Sequence, residues 1–309
     1  MSIARSALLR LSRNKWLAEQ IARRAFAQRA VRRFMPGEDV ADALAAAGTL
    51  AAAGLGSVVT QLGENLSTLA EADRVREHYL GVYDEIRTRA LPIHVSVKPT
   101  QLGLDLSAEV CLANLRTLAE RAEATGSFLW LDMEDSSYVD RTLELFRRLR
   151  PDHGKVGVCL QAYLRRTPAD LEALLSLGPA IRLVKGAYAE RPTVAFPEKR
   201  ATDAAYFQLA ERLLQAAATG SAFPVFGTHD GALISRVTTS AAEQGVPDGA
   251  YEIHMLYGIG AAQQGALVAA GRVVRTLISY GRQWFPWYLR RLAERPANVW
   301  FVLRSLVAR

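Results

Sequence analysis

Short apolar runs alternate with longer amphipathic stretches through most of the chain, and this alternation restricts the possible folds more than any other feature. The runs number eight, and they begin at Ser57, Ile93, Phe128, Val156, Ile181, Pro224, Glu252 and Val273. Between them lie stretches with helical periodicity, such as Leu69 to Arg89, Ala108 to Ala122 and Thr202 to Ala218. Strands that alternate with helices in this way predict an α/β protein whose parallel sheet closes into a (β/α)8 barrel of the TIM type.

A doubly wound parallel sheet would show the same alternation, so the two folds must be separated by their motifs. Doubly wound dinucleotide-binding domains carry a glycine fingerprint, but Gly54 and Gly56 are followed by Val59 where a third glycine would stand. The sequence also lacks a phosphate-loop GK[ST] motif and an HExxH zinc motif. The barrel is therefore the favoured fold.

Positive charge is concentrated at the beginning of the chain. The first 33 residues contain nine arginines and lysines and one glutamate, whereas the whole chain has a net charge of +7. We therefore predict a basic, helical N-terminal arm over residues 1–48 and a barrel domain over residues 49–309. Such an arm suits an anionic membrane surface or a nucleic acid, or it is a solvated helix packed on the barrel. It also resembles a transit peptide, although no cleavage signal is evident.

An uncharged segment of 21 residues, from Ala43 to Gly63, is long enough to cross a bilayer. Alanine and glycine dominate this segment, which favours a buried helix that leads into the first strand. The chain has only two cysteines, Cys111 and Cys159, and both stand among apolar residues. They are expected to be buried, reduced thiols, as is usual in a cytoplasmic protein.

Polar residues stand at the ends of the predicted strands. They are Gln61, Glu64, Lys98, Asp132, Gln161, Lys185, Thr228 and His229. Because barrel enzymes bind their substrates at the carboxyl ends of the strands, these side chains are expected to meet at the barrel mouth. Their spacing does not match a metal site, so the set indicates an organic cofactor and an anionic substrate.

The stretch "WYLRRLAERP" near the C-terminus predicts a short helix that ends at Pro296. On this helix Trp287, Arg290, Arg291 and Glu294 share one face. The two guanidinium groups either clamp a carboxylate, whose oxygens match the arginine fork, or form a solvated surface that the glutamate balances.

Eight sequence motifs are distributed over most of the chain. They are "HVSVKPTQLGLDL", "LDMEDS", "QAYLRRT", "RLVKGAY", "VAFPEKR", "THD", "LYG" and "LRRLAERP". In their order and spacing, from about Val31 onward, the chain resembles the proline dehydrogenase family in its short, monofunctional bacterial form. The resemblance implies that FAD sits at the mouth of a distorted barrel and that the last helix lies over this mouth. It also implies oxidation of L-proline to Δ1-pyrroline-5-carboxylate by hydride transfer to FAD. The electrons would pass to a membrane quinone, in the first step of proline catabolism.

The resemblance also implies roles for individual residues. Arg290 and Arg291 would bind the proline carboxylate, with Lys98 as a third cation that Asp132 orients. Arg182 would lie near the flavin N5 edge, and Arg182 and Asp132 would be the catalytic residues. The other substrate-binding residues would be Leu277, Trp287 and Tyr188. The other flavin-binding residues would be Met133, Gln161, Lys185, Gly186, Ala187, Thr228, His229 and Glu294.

Four positions depart from the family pattern. Leu277 and Ser279 replace a tyrosine and a proline in the last strand, and His254 replaces a glutamine in the seventh strand. Trp287 replaces a tyrosine three residues before the arginine pair. These changes leave the carboxylate site intact but alter the wall around the far side of the proline ring. A hydroxyproline dehydrogenase on the same fold is therefore an alternative.

Two other functional classes remain open. A class I aldolase-like barrel would use Lys185 or Lys98 to form a Schiff base with a carbonyl substrate. A nucleic-acid-binding protein would act through the basic arm, but only Trp16, Phe26 and Phe34 are interleaved with its charges. The expected partners are therefore L-proline, a quinone and an anionic membrane surface rather than a nucleic acid.

Overall fold

Eight parallel strands close into a barrel in the computed structural model, which describes residues 31–63, 66–285 and 287–288. Each strand pairs with its neighbours in chain order, and the last strand pairs with the first. The strands are β1 (Gly56–Gln61), β2 (Ile93–Val97), β3 (Leu129–Leu131), β4 (Val156–Gln161), β5 (Ala180–Val184), β6 (Phe223–Gly227), β7 (Glu252–Leu256) and β8 (Val274–Tyr280). The closed ring confirms the predicted (β/α)8 fold and excludes the doubly wound alternative, whose sheet is open.

Helices cover the outside of the barrel, so that strands such as β2 and β4 are buried on both faces. Among the described residues, one α-helix precedes β1, and one follows each strand from β1 to β7. The helices are α1 (Val40–Ala52), α2 (Leu69–Arg89), α3 (Ala108–Ala124), α4 (Val139–Leu149), α5 (Thr167–Leu175), α6 (Lys199–Ala218), α7 (Gly231–Glu243) and α8 (Ala261–Ala269). The three helical stretches named from periodicity are confirmed, because they correspond to α2, α3 and α6.

Helix α1 packs against both β1 and β8. In a regular barrel the helix that follows the last strand covers the outside of β8 and β1. Because α1 occupies this position here, the segment after β8 is not needed to cover these strands. The uncharged segment that begins at Ala43 is accordingly a surface-packed helix followed by a strand, and none of the described helices has the length and apolarity needed to cross a bilayer. The predicted domain boundary after residue 48 falls inside α1. The division of the chain into an arm and a barrel stays a prediction.

Side chains that point into the barrel form a small apolar cluster, separate from the main core between strands and helices. It consists of Val58, Trp130, Ala180 and Val225, with Phe128, Phe223 and Leu277 packed against it. The strand register places Gly157 of β4 between Trp130 and Ala180. A Cβ atom on Gly157 would lie 2.4 Å from the indole of Trp130, so β4 carries no side chain where the indole occupies the centre of the barrel.

The two ends of the described chain contact each other. Trp284, shortly after β8, donates its indole N–H to Glu38 Oε1 at 2.9 Å, and the rings of Phe34 and Tyr288 lie 6.1 Å apart. The predicted last helix begins in this segment, but its continuation, with Arg290, Arg291 and Glu294, lies outside the described residues. Its position over the barrel mouth therefore stays a prediction.

Candidate functional site

Most of the predicted site residues lie at the carboxyl end of the barrel. Ten of them end a strand or closely follow one: Lys98 after β2, Asp132 and Met133 after β3, Gln161 at the end of β4, Lys185, Gly186, Ala187 and Tyr188 after β5, and Thr228 and His229 after β6. Parallel strands bring these positions to one edge of the sheet, so the structure gathers them at the barrel mouth. Glu64, predicted at the end of β1, is not among the described residues.

Arg182 and Asp132 form an ion pair at this mouth. The Arg182 side chain, which belongs to β5, is 5% exposed, whereas that of Asp132 is 21% exposed. Nη2 of Arg182 donates to Asp132 Oδ1 and, at 2.9 Å, to Ser96 Oγ. Ser96 Oγ in turn donates to Asp132 Oδ1 at 2.9 Å. A buried guanidinium needs such partners, because an unpaired buried charge is costly. The structure thus brings the predicted catalytic pair together.

No ion pair or hydrogen bond joins Lys98 to Asp132 among the described residues, whereas Arg182 reaches Asp132 from β5. The predicted role of Asp132 in orienting Lys98 stays a prediction. Lys98 is nevertheless buried, and within the described part of the chain it makes no ion pair. A buried ammonium group of this kind at the mouth is suited to an anionic ligand.

Lys185 belongs to a group of two lysines and two aspartates. Its Nζ donates to Asp203 Oδ1 at 2.5 Å and to Asp230 Oδ2 at 2.9 Å, and Lys199 pairs with the same two carboxylates. The hydrogen bond from Lys185 lowers the pKa of Asp230 to about 2. Burial acts to raise the pKa of Asp203, but hydrogen bonds from both lysines outweigh burial and lower it. Both carboxylates accept hydrogen bonds from Nζ of Lys185, so this nitrogen is already engaged and is poorly placed to attack a carbonyl substrate.

The loop after β6 leads directly into helix α7. Asp230 is the N-cap of this helix, and its backbone N–H donates to Thr228 Oγ1 at 3.1 Å. Nε2 of His229 accepts the backbone N–H of Leu256 at 3.1 Å, which places the proton of the neutral ring on Nδ1. Because Lys185 lies beside the positive end of the α7 dipole, this corner of the mouth is suited to a phosphate group.

Gln161 and Gly186 border the same side of the mouth. Nε2 of Gln161 donates to the carbonyl of Glu134 at 3.1 Å, whereas its Oε1 is buried and has no hydrogen-bond partner among the described residues. Such an oxygen is expected beside a bound group that carries an N–H donor. Gly186 has a φ of +108°, and a Cβ atom there would lie 2.2 Å from the ring of Tyr163. Only glycine fits this turn of the chain.

The wall below the mouth contains two of the residues that depart from the family pattern. Leu277 packs against the apolar cluster inside the barrel and is only partly buried. His254 is buried on β7, and its Nε2 bonds Glu252 Oε2 at 2.9 Å. Burial lowers the pKa of His254 to about 4, so its ring is neutral at pH 7. Trp287 is buried near the start of the last helix.

Several residues of this site had no role in the sequence analysis. They are Ser96, Trp130, Asp203 and Asp230. Asp230 is part of the motif "THD", and Trp130 stands two positions before Asp132, a spacing that puts two side chains on one face of a strand. These two could have been found from the sequence. Asp203 lies in a helical pattern that carries no such signal. Cys111 and Cys159 are buried and form no disulfide, as predicted.

Comparisons with known proteins agree with the motifs. The sequence profile of the proline dehydrogenase family matches residues 43–304. Proline dehydrogenase 1 of Bacillus subtilis (strain 168) is 35% identical over 303 residues, which cover 98% of this chain and 99% of that protein. Proline dehydrogenase of Deinococcus radiodurans is 34% identical over 294 residues, which cover 94% of this chain and 93% of that protein.

The fold is similar to that of proline utilization A (PutA) from Bdellovibrio bacteriovorus, solved after inactivation by N-propargylglycine. The TM-score is 0.80, with 24% sequence identity over 87% of this chain. The chain spans 33% of that PutA chain, and at this identity the similarity concerns the fold alone.

Proposed function

The chain belongs to the proline dehydrogenase family and is an enzyme of that type, and from this premise we propose that it oxidises L-proline to Δ1-pyrroline-5-carboxylate with bound FAD. The observation that carries the proposal is the buried Arg182–Asp132 pair, at a mouth to which Lys98 and Lys185 also contribute. Fixed cations at a partly dry barrel mouth are suited to an amino-acid carboxylate and to an electron-rich cofactor.

The residues at the mouth fit a flavin nucleotide. The buried Oε1 of Gln161 lacks a partner in the described chain and could accept a ring N–H. Arg182 offers a fixed cation to the N5 edge, and Lys185 together with Thr228 lies where the start of α7 favours phosphate. The other residues proposed to contact FAD are Met133, Gly186, Ala187, His229 and Glu294.

The proposed reaction removes two electrons from the ring C–N bond of proline. Bound FAD would supply the acceptor for the hydride that leaves C5, while the amine proton is lost to solvent and a C=N bond forms. The protein's own residues bind and orient the substrate. Arg290, Arg291 and Lys98 would hold the carboxylate, and Leu277, Trp287 and Tyr188 would enclose the ring. Asp132 would fix Arg182, whose position is set before the substrate arrives.

The basic arm suggests that the enzyme works at a membrane surface. Electrons removed from proline must leave the protein, and a membrane quinone is the acceptor that the family resemblance implies. The concentration of positive charge in residues 1–33 supports contact with the anionic inner face of a membrane, since polybasic segments are attracted to anionic lipids. In this proposal the enzyme is cytoplasmic and associates with the membrane surface without crossing it.

The absorption spectrum of the purified full-length chain tests the proposed reaction. We expect flavin bands that bleach when L-proline is added without oxygen. A colourless protein, or a flavin spectrum that proline leaves unchanged, would contradict the proposal. Treatment with borohydride in the presence of substrate gives a second readout, because an adduct trapped on Lys98 or Lys185 would instead support the aldolase alternative.

Oxidation of a 4-hydroxylated proline is the second candidate function. The partial burial of Leu277 favours it, because space beside a short side chain could admit a ring substituent. The same spectral experiment with trans-4-hydroxyproline separates the two candidates by their rates of bleaching.

A further inference from the structure

One buried tryptophan lies directly below the Arg182–Asp132 pair. Trp130 is the middle residue of β3, is fully buried, and points into the barrel. Side chains two positions apart on a strand point to the same face. Trp130 and Asp132 therefore both face the interior, and β3 presents an indole with a carboxylate one step nearer the mouth.

The indole and the carboxylate contact the same guanidinium group. Cζ of Arg182 lies 5.3 Å from the centre of the Trp130 ring, and Nη2 of Arg182 bonds Asp132. Arg182 comes from β5, so the indole must extend past β4 to reach it. Gly157 of β4 and Ala180 of β5 form the same layer as Trp130, and their small size makes this reach possible. The register of three strands thus supports a single cation–π contact.

The hydrogen bonds of Arg182 hold one edge of its guanidinium group. The bonds to Asp132 and to Ser96 both leave from Nη2. The indole of Trp130 adds an aromatic face beside the cation, which attracts the guanidinium electrostatically and limits its displacement. The attraction is strong where water is excluded, and Arg182 is only 4% exposed.

The indole itself is held by neighbours other than Arg182. It stacks on Phe128 at 5.5 Å with 18° between the planes, and it meets His254 edge to face at 5.8 Å. Its Nε1–H points to Nδ1 of His94 at 3.4 Å. Burial lowers the pKa of His94 well below its ordinary value, so the ring is neutral and Nδ1 can accept this bond. Trp130 is therefore a fixed surface for the guanidinium.

We propose that Trp130 is a positioning residue of the active site, whose ring face keeps the Arg182 guanidinium oriented toward the flavin. This inference rests on the proposed function, because it requires a flavin at the barrel mouth. It adds a residue that touches neither the substrate nor the cofactor and that acts through Arg182.

Two substitutions at Trp130 and one control test the inference in the full-length holoenzyme. Trp130→Met removes the aromatic face and leaves a flexible side chain to fill the space, whereas Trp130→Phe keeps a face and loses the N–H donor. Phe146→Leu is the control, because it removes a buried ring of helix α4 in the main core, outside the cluster that contains Trp130. Each variant is measured for flavin content, thermal stability, kcat with proline and the flavin midpoint potential.

We expect Trp130→Met to retain flavin, to lose about tenfold in kcat and to have a more negative midpoint potential, because the cation is no longer held at the flavin edge. Trp130→Phe should keep kcat and the midpoint potential close to the wild-type values. Phe146→Leu should lower thermal stability without moving the potential. Wild-type kcat and potential in Trp130→Met would overturn the inference, whereas a wild-type protein that binds no flavin would overturn the proposed function.

Fluorinated tryptophan at position 130 keeps the inference testable if Trp130→Met does not fold. Fluorine withdraws electrons from the ring face and changes its shape little, so each added fluorine weakens the cation–π contact. The midpoint potential should become more negative stepwise with the number of fluorine atoms. A potential that stays constant across the series would overturn the inference.

Discussion

Trp284 donates its indole N–H to Glu38, which ties the segment after the last strand to the segment before the first helix. Trp284 is almost fully buried, so loss of the acceptor would leave a buried donor unpaired. We expect Glu38→Leu to lower the free energy of unfolding by about 1–3 kcal/mol, and Glu38→Gln to have a smaller effect because an amide oxygen still accepts. Denaturant titration measures both. Equal stability of the two variants would show that the bond does not matter.

Removal of either arginine of the predicted clamp should weaken proline binding. Replacing Arg290 or Arg291 by Met takes a charged partner from a desolvated carboxylate, with an expected loss of about 2–5 kcal/mol in binding and little change in flavin content. Arg212→Met is the matched control, because Arg212 pairs with Glu172 on the surface. Titration of the flavin spectrum with proline gives the affinity. Near-normal affinity in both clamp variants would exclude the clamp.

Lys185 and Lys199 share two aspartates but are expected to differ in function. The Lys185 side chain is 24% exposed and lies at the end of β5, whereas that of Lys199 is 73% exposed. Lys185→Ala should therefore reduce the flavin content of the purified protein, while Lys199→Ala should leave it near that of the wild type. The ratio of flavin to protein absorbance measures this. Equal flavin content in the two variants would remove Lys185 from the cofactor site.

The strands, and the residues that lie at the barrel mouth, could be predicted from the sequence. Strands that are buried on both faces are short and mostly apolar, so each run from Ser57 to Val273 marks one strand. A polar residue that ends such a run stands at the carboxyl end of its strand. This is why Lys98, Asp132 and Gln161 could be assigned to one edge before their neighbours were known.

The contacts within the mouth could not be predicted in the same way, because they depend on which side chains reach across the barrel. The sequence suggests that Asp132 orients Lys98, but it does not indicate that Arg182 reaches Asp132 from β5. Asp203 joins the site through the packing of the first turn of α6 beside the start of α7. A helical pattern fixes which face of a helix is buried, but not which neighbouring turn it meets.

Acid should destabilise the wild-type fold partly through His254. Its pKa is about 4 in the folded chain and near 6.5 when unfolded, so the unfolded state binds the proton first as the pH falls. The stabilising contribution of the neutral ring is therefore complete above pH 6.5 and is lost as the pH falls toward 4. Arg182, Arg275 and His94 face this ring and disfavour its protonation, whereas Glu252 favours it.

The variant His254→Gln cannot titrate and still offers a donor to Glu252. Between pH 7 and pH 5 the wild type should lose about 2 kcal/mol of stability that this variant retains. Denaturant titrations of both proteins at the two pH values provide the comparison. Parallel losses of stability in the two proteins would show that folding does not lower the pKa of His254.

Leu277 should set the tolerance for substituents on the proline ring. Leu277→Tyr narrows the space inside the barrel, whereas Trp287→Tyr tests whether the larger indole fills that space from the other side. For Leu277→Tyr we expect the preference for proline over trans-4-hydroxyproline to rise by about 1–3 kcal/mol in kcat/KM. Steady-state kinetics with one artificial acceptor provides the measurement. If the wild type prefers hydroxyproline, the second candidate function replaces the first.

The position of α1 on both β1 and β8 also determines when this chain can fold. Helix α1 cannot complete its packing before β8 has been synthesised, because the surface that it covers is formed by β1 and β8 together. The ring therefore closes only after β8 has been synthesised, and shorter nascent chains expose the unpaired edge of β1 on the ribosome. The contact between the first and last elements is non-local, which makes ring closure a slow step. Until the ring closes, aggregation through the exposed strand edges competes with folding.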